Sequence, residues 1–208
     1  MTPDQLNIAA VKYEKLCSLT QGDYRAFLYD CDGTLADNMD AHKATYVAVA
    51  ASYGIELDDA IIDELAGWPI SKVAAAISER YKTKFDPQEF EDLKSKLFFE
   101  EYIEKIKPVD FVVEHLIAHA GKVKIGVVSG GTRPAIEKTL QVLGIRQLVE
   151  VLVCAGETPH GKPWPDPFLS AAEQLQVPPG KCMVFEDGEP GVKAAIAAGM
   201  EWIRIDHI

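Results

Sequence analysis

The sequence predicts an α/β fold: a doubly wound parallel sheet with an inserted helical domain. Three observations lead there. Five short apolar runs, at 25–29, 124–128, 151–155, 182–185 and 201–205, are each bounded by turn residues. Runs this brief read as strands, and their mostly unalternating character suits strands buried on both faces. Helical patterns separate the last four, and strand–helix alternation implies a parallel sheet. The long stretch between the first two runs, by contrast, reads as helix throughout.

Taken in order, 1–22 reads as an amphipathic helical extension that begins near Pro3-Asp4 and ends at Gly22. Strand one follows. Helical patterns then occupy 39–53, 71–81, 87–106 and 111–120, punctuated at Gly54, Gly67-Trp68-Pro69, Asp86-Pro87 and Lys107-Pro108. Only the last of these is needed as a crossover. The expected division is therefore an α/β core of 1–37 and 108–208 around a helical insertion of 38–107. Later helices at 132–143, 167–176 and 190–198 stop at Gly144, before Pro178 and at Gly199, as C-terminal helix chemistry requires.

With 208 residues, the chain is long enough to bury roughly 70% of its unfolded surface without disulfides or a structural metal. Its 21 Lys and Arg face 32 Asp and Glu, a net charge of −11 that opposes nucleic acid and anionic membranes. No stretch approaches the ~20 continuous apolar residues of a membrane span. The N-terminus has neither the basic start nor the unbroken apolar core of a signal peptide. Cys17, Cys31, Cys154 and Cys182 are scattered and form no CxxC pair, which fits reduced thiols in a cytoplasmic protein.

The strongest chemical signal is Asp30-Cys31-Asp32-Gly33-Thr34-Leu35, directly after strand one. Ligands of open parallel sheets bind beyond the carboxyl ends of strands. Carboxylates at i and i+2 share one side of an extended chain, and Gly33 permits a sharp turn. Such a pair either holds a cation or divides into an ionised and a protonated member. An EF-hand is excluded, because Gly33 comes too early and downstream ligands are missing. Val128-Ser129-Gly130-Gly131-Thr132 offers a hydroxyl and backbone N–H groups suited to phosphate, although such turns are often only turns. Lys162 lies between Gly161 and Pro163, and Glu186-Asp187 ends the fourth strand with two adjacent acids suited to a divalent cation. Gly156 to Lys162 imitates a nucleotide-binding P-loop. Pro163 stands where that motif needs Ser or Thr, so this reading is rejected.

Jointly, Asp-x-Asp-Gly-Thr, then Ser129, Lys162 and Glu186-Asp187, each closing a successive strand, resemble the haloacid dehalogenase (HAD) superfamily. The resemblance spans about 26–205 and all four motifs. Gly161-Lys162-Pro163-Trp164-Pro165-Asp166-Pro167-Phe168, and Phe185 to Asp187 followed by Gly191 and Ala194 to Gly199, look like the β-phosphoglucomutase subgroup with its sugar-phosphate phosphatases. The resemblance implies a Rossmann-like core with a helical cap, and a phosphorylated small molecule as substrate. It implies Asp30 as nucleophile and Asp32 as general acid and base. Ser129, the Gly130 amide and Lys162 would clamp the phosphoryl group. Mg²⁺ would be held by Asp30, the Asp32 carbonyl and Asp187, with Glu186 direct or through water. Cys31 is expected to face away from the site.

Substrate choice is expected in the cap. His42 lies twelve residues after Asp30, where this subgroup often carries a substrate-facing His. Trp68 resembles part of the specificity loop. Lys94 and Lys96 either reach a hydroxyl or second anion or lie on a solvated helix face, and Arg133 is placed to touch substrate. β-Phosphoglucomutases carry Arg where this chain has Ile70, and Gly67-Trp68-Pro69 looks like the branch hydrolysing fructose 1-phosphate or 6-phosphogluconate. A phosphatase is therefore expected, with a sugar phosphomutase as the alternative and a non-catalytic binding protein as the alternative of another class. The expected state is a monomer or weak oligomer. Four site carboxylates oppose Mg²⁺, Lys162 and Arg133, so an acidic protein can accept an anion only with the metal in place.

Overall fold

The computed structural model describes residues 3–65 and 68–208, and the chain divides into two compact units. One comprises the residues up to Asp37 with Lys107–Ile208, and the other is Asn38–Ile106.

The first unit is built on five parallel strands: β1 (Ala26–Tyr29), β4 (Lys124–Val128), β5 (Val151–Val153), β6 (Cys182–Glu186) and β7 (Glu201–Arg204), in the order β5-β4-β1-β6-β7. Between β1 and β4 in the chain lie β2 (Ala36–Asp37) and β3 (Lys107–Pro108), a two-stranded antiparallel ribbon. Successive crossovers run outward from β1 in one direction to β5, then reverse to β6 and β7. The central strand β1 therefore ends at a topological switch point, the usual ligand crevice of such sheets.

Two clusters of apolar side chains cover the two faces. Phe27, Tyr29, Ile125, Val127, Met183 and Phe185 belong to one, Ala26, Leu28, Val128, Cys182 and Val184 to the other. This period-2 division explains why the strands carry apolar residues at every position. Helices α1 (Pro3–Leu19), α6 (Asp110–His119) and α7 (Arg133–Val142) supply Leu16, Val112, Leu116 and Leu140 to the first face. The second receives Phe168, Ala172 and Leu175 of α8 (Asp166–Leu175) and Ala194 and Ala195 of α9 (Glu189–Ala197). Each large side chain so buried contributes about 1.5–3 kcal/mol. On α1, Leu16 is buried while Ile8, Val11 and Leu19 stay exposed, so its apolar residues do not form one covered stripe.

The first face also buries a polar node. His115 is fully buried, with Nδ1 2.8 Å from the Tyr29 hydroxyl and Nε2 3.0 Å from Thr20 Oγ1. Burial first, and then neighbouring His119, hold its pKa down at about 3, so it is neutral near pH 7.

The second unit holds α2 (Met39–Ser52), α3 (Ala60–Glu64), α4 (Ile70–Tyr81) and α5 (Pro87–Glu101). Tyr46, Val49, Ile61, Val73, Ile77 and Phe90 form its core. Asp86 caps α5, accepting from the Gln88 N–H at 2.9 Å with Pro87 in the first turn.

Several sequence expectations need correction. The helix expected over 87–106 ends at Glu101, and Ile103–Lys105 is a separate 3₁₀ turn. The stretch after strand one is not wholly helical, since it carries β2 and β3. By contrast, α8 ends before Pro178 as expected, with Gln176 in a left-handed conformation (φ 57°) closing it. No helix among the described residues is long and apolar enough to cross a membrane.

Candidate active site

Asp30 prolongs the central strand, its N–H donating to the Phe185 carbonyl at 2.9 Å. Because alternate residues face opposite sides, Cys31 enters the first apolar cluster, fully buried. The chain then turns: Leu35 and Ala36 N–H both donate to the Cys31 carbonyl at 2.9 Å. Gly33 makes the turn possible, with φ at 87°. A Cβ there would lie 2.2 Å from Asp187 Oδ2, so the position needs glycine for both conformation and space. Asp32 is half-buried within this turn.

The Asp30 carboxylate is 90% buried and lies 2.5 Å from the Lys162 ammonium. The same ammonium lies 2.5 Å from Glu186 Oε1 and donates to the Val128 carbonyl at 2.9 Å, which engages all three of its donors. Burial lowers the Lys162 pKa, but Asp30 and Glu186 outweigh it and hold the ammonium above its ordinary value. The Lys162-Pro163 peptide is cis. The other oxygen of Glu186 accepts from the Gly188 N–H at 2.9 Å. Gly191 in α9 leaves room for this carboxylate, since a Cβ would fall 1.7 Å from Oε1.

Asp187 completes the cluster. Oxygens of Asp30, Glu186 and Asp187 lie within 4.8 Å of one another. Thr34, fully buried, donates to Asp187 Oδ1 at 3.1 Å. Burial and the Glu186 charge push the Asp187 pKa up to about 6. Asp30 is also raised well above the carboxylate range by burial, with Glu186 and Asp187 adding to it against the pull of Lys162. Carboxylates that resist ionising together are the condition a cation relieves, and hard oxygen donors of this kind suit Mg²⁺. The residues present therefore fit that ion.

Ser129 follows β4 on the same edge of the sheet, 95% buried, its Oγ accepting from the Gly131 N–H at 3.0 Å. The hydroxyl proton is left to donate elsewhere. Gly130 is exposed, and a Cβ there would meet nothing within 4 Å. Arg133 departs from expectation. Its Nε and Nη2 pair with Glu157 at 2.5 and 2.8 Å, and Nη2 also donates to the Leu152 carbonyl at 2.7 Å. A guanidinium committed in this way is no ready substrate ligand.

Sequence reasoning thus brings Asp30, Ser129, Lys162, Glu186 and Asp187 to one edge but assigns no task to Thr34, Gly188 or Glu157. Thr34 was in view within the Asp-x-Asp-Gly-Thr motif, whereas the Glu157 pairing leaves no trace in local spacing.

In the helical unit, Lys94 is 98% buried, which excludes the solvated face. Its Nζ lies 2.5 Å from His42 Nδ1 and about 5 Å from the ring centroids of Tyr46 (5.2 Å) and Phe98 (5.0 Å). The His42 ring stacks on Phe98 at 4.1 Å. Lys96 does lie outside, near Glu100 at 3.9 Å. Trp68 is 52% exposed, and Gly67 of the same segment lies outside the described residues.

A family model described as haloacid dehalogenase-like hydrolase matches residues 24–199. The chain belongs to this family. Among curated relatives, the fructose-1-phosphate phosphatase YqaB of Escherichia coli (strain K12) is 30% identical over 88% of this chain and 96% of that protein. The β-phosphoglucomutase of Bacillus subtilis (strain 168) is 28% identical over 85% of this chain and 80% of its own. The crystal structure of CbbY from Rhodobacter sphaeroides with phosphate superposes with a TM-score of 0.74 at 23% identity, covering 86% of this chain and 84% of that one. The haloacid dehalogenase-like fold accounts for the site lying where β1 ends. It does not explain α1, all of which precedes the matched residues.

Proposed function

We propose that this hydrolase is a Mg²⁺-dependent phosphatase of small sugar phosphates, working through an aspartyl-phosphate on Asp30. The observation that carries the proposal is a buried Asp30 carboxylate at the end of the central strand, bridged by Lys162 to Glu186 and clustered with Asp187. The kinship with a fructose-1-phosphate phosphatase supports the substrate class.

Asp30, the Asp32 carbonyl and Asp187 would hold Mg²⁺, with Glu186 direct or through water. When bound, the ion neutralises phosphoryl charge, which an anionic nucleophile needs before it can approach. An Asp30 oxygen forms the bond to phosphorus as the bond to the sugar oxygen breaks. Asp32 gives its proton to that leaving oxygen, then takes one from the water that cleaves the aspartyl-phosphate and releases inorganic phosphate. Lys162 exchanges one of its present contacts for a phosphoryl oxygen. With Ser129 Oγ and the Gly130 N–H, it stabilises the charge spread in the transition state. The helical unit serves as the cap, where the His42–Lys94 pair and Trp68 choose the sugar. Four unpaired cysteines fit the reducing cytoplasm.

Arg133 drops out of the local charge balance because Glu157 cancels it. The four carboxylates are then opposed by Mg²⁺ and Lys162 alone, and a protonated Asp32 brings the site to neutrality. Without the ion the site repels phosphate.

The test is a phosphosugar panel assayed with and without Mg²⁺. Phosphate release that requires the ion supports the proposal. The mutase reading, favoured by the Bacillus relative, is separated by β-glucose 1-phosphate: glucose 6-phosphate as product would establish it. Ile70, where mutases carry an anion-binding Arg, supports hydrolysis. No turnover across the panel would favour the non-catalytic alternative.

A further inference from the structure

Two loops carry the groups assigned to the phosphoryl oxygens. One runs from Ser129 through Gly130 to the start of α7 at Arg133. The other leaves β5 at Val153 and reaches Lys162 before α8 begins. Neither has regular structure of its own, yet both must hold their donors to within a fraction of an ångström.

Five hydrogen bonds join the second loop and the end of its strand to the first loop, one of them from the Ser129 N–H to the Val153 carbonyl at 2.9 Å. Arg133 makes the bidentate pair with Glu157 and the bond to the Leu152 carbonyl given above. The Ala155 N–H donates to the Gly131 carbonyl at 3.0 Å, linking the two backbones directly. Each loop is also tied internally. Glu157 Oε2 accepts from the Cys154 N–H at 2.9 Å, closing the turn after β5, and Gly131 N–H donates to Ser129 Oγ. Hydrogen bonds therefore link Ser129 Oγ to Gly131 and Gly131 to Ala155, and, across the Cys154–Ala155 peptide, Cys154 to Glu157 and Glu157 to Arg133. Glu137 flanks Arg133 at 3.6 Å and is itself held in a fork by Arg146 at 2.8 and 3.0 Å, which anchors the arrangement to the body of α7.

We propose that the Arg133–Glu157 pair is a positioning clamp that keeps the Ser129–Gly130 loop and the Lys162 loop in register, and that Arg133 acts through this clamp rather than by touching substrate. The catalytic part of this inference rests on the phosphatase reading. The planar fork is essential to it: a lysine retains the charge but cannot span both carboxylate oxygens.

The two ideas make opposite predictions for Glu157. A substrate-binding Arg133 would be freed by Glu157→Gln, leaving kcat/KM unchanged or raised. A clamp would be opened by it. Arg133→Lys, Glu157→Gln and the double variant are compared with the wild type on whichever phosphosugar it hydrolyses. The clamp predicts that each single variant lowers kcat by about 10- to 100-fold with little change in KM. It also predicts that the double variant falls no further than the worse single one. Additive losses, or a loss confined to KM in Arg133→Lys, would overturn it.

Hydrogen exchange gives a readout that needs no turnover. In Glu157→Gln, backbone amides of 130–132 and of 155–162 should exchange faster together, while those of β1 and β6 stay protected. Unchanged exchange, or acceleration in one loop only, would refute the clamp even if no substrate were found. Failure of the wild type to hydrolyse any phosphosugar would count against the phosphatase reading alone.

Discussion

Replacing Lys162 with methionine removes one ammonium from between two carboxylates while keeping most of the side-chain volume. Asp30 and Glu186 are left facing each other with side chains 10% and 4% exposed. Each loses a charge-assisted hydrogen bond worth about 1.5–3 kcal/mol, so the expected cost is about 3–5 kcal/mol, the usual penalty for stripping one partner from a buried pair. The loss depends on pH. Asp30 already has its pKa raised by burial and by its acidic neighbours, and Lys162 opposes that rise. Without the lysine the folded-state value climbs further. The folded variant then binds a proton that the unfolded chain has released, and its stability falls as pH rises from the ordinary carboxylate range through the raised value. Urea denaturation with a chelator present, at pH 5 and pH 8, reads both effects as the difference from wild type. The gap should be wider at pH 8, narrower at pH 5, and partly closed by Mg²⁺ or by adding Glu186→Gln. A gap below about 1 kcal/mol, equal at the two pH values, would refute the reasoning.

His115 sets a second pH dependence of opposite sign. The unfolded histidine titrates near 6.5, while the folded one is held at about 3. Stability should fall as pH drops between those values, by up to about 1.4 kcal/mol per pH unit. His115→Gln should flatten that slope relative to wild type in acid denaturation, and equal slopes would count against a neutral buried histidine. Gly33→Ala combines a positive φ with a methyl group 2.2 Å from Asp187 Oδ2. The backbone strain costs about 1–2 kcal/mol. Displacing Asp187 should raise the Mg²⁺ concentration for half-maximal activity by about tenfold or more, and an unchanged Mg²⁺ titration would show that Asp187 is not a ligand.

The five strands were legible because burial on both faces makes each a short unbroken apolar run, and turn residues bound them to within two positions. The acidic and basic site groups were legible for a related reason: a parallel sheet gathers its strand ends on one edge, so polar residues closing apolar runs converge. What escaped depends on pairings that cross the chain. Thr34 meets Asp187 across 153 positions, and Arg133 meets Glu157 across 24. From sequence alone Arg133 points to substrate, because its place at the start of α7 is visible there and its partner Glu157 is not. Lys94 fits no apolar period as a charge, yet its stem passes Tyr46 and Phe98 to reach His42, which only the packing of α2 against α5 reveals. The β2–β3 ribbon, two residues to a strand, is too short to show any period.

The central claim is that Asp30 takes the phosphoryl group. Single turnover on a phosphosugar hydrolysed by the wild type, acid-quenched and mapped by peptide mass spectrometry, tests it most directly. The wild type should show a transient acid-stable phosphoryl adduct on the peptide containing Asp30. Asp30→Asn should fold with an unchanged circular dichroism spectrum, show no adduct, and lose turnover by orders of magnitude. Near-full, Mg²⁺-dependent hydrolysis by that variant would contradict the account.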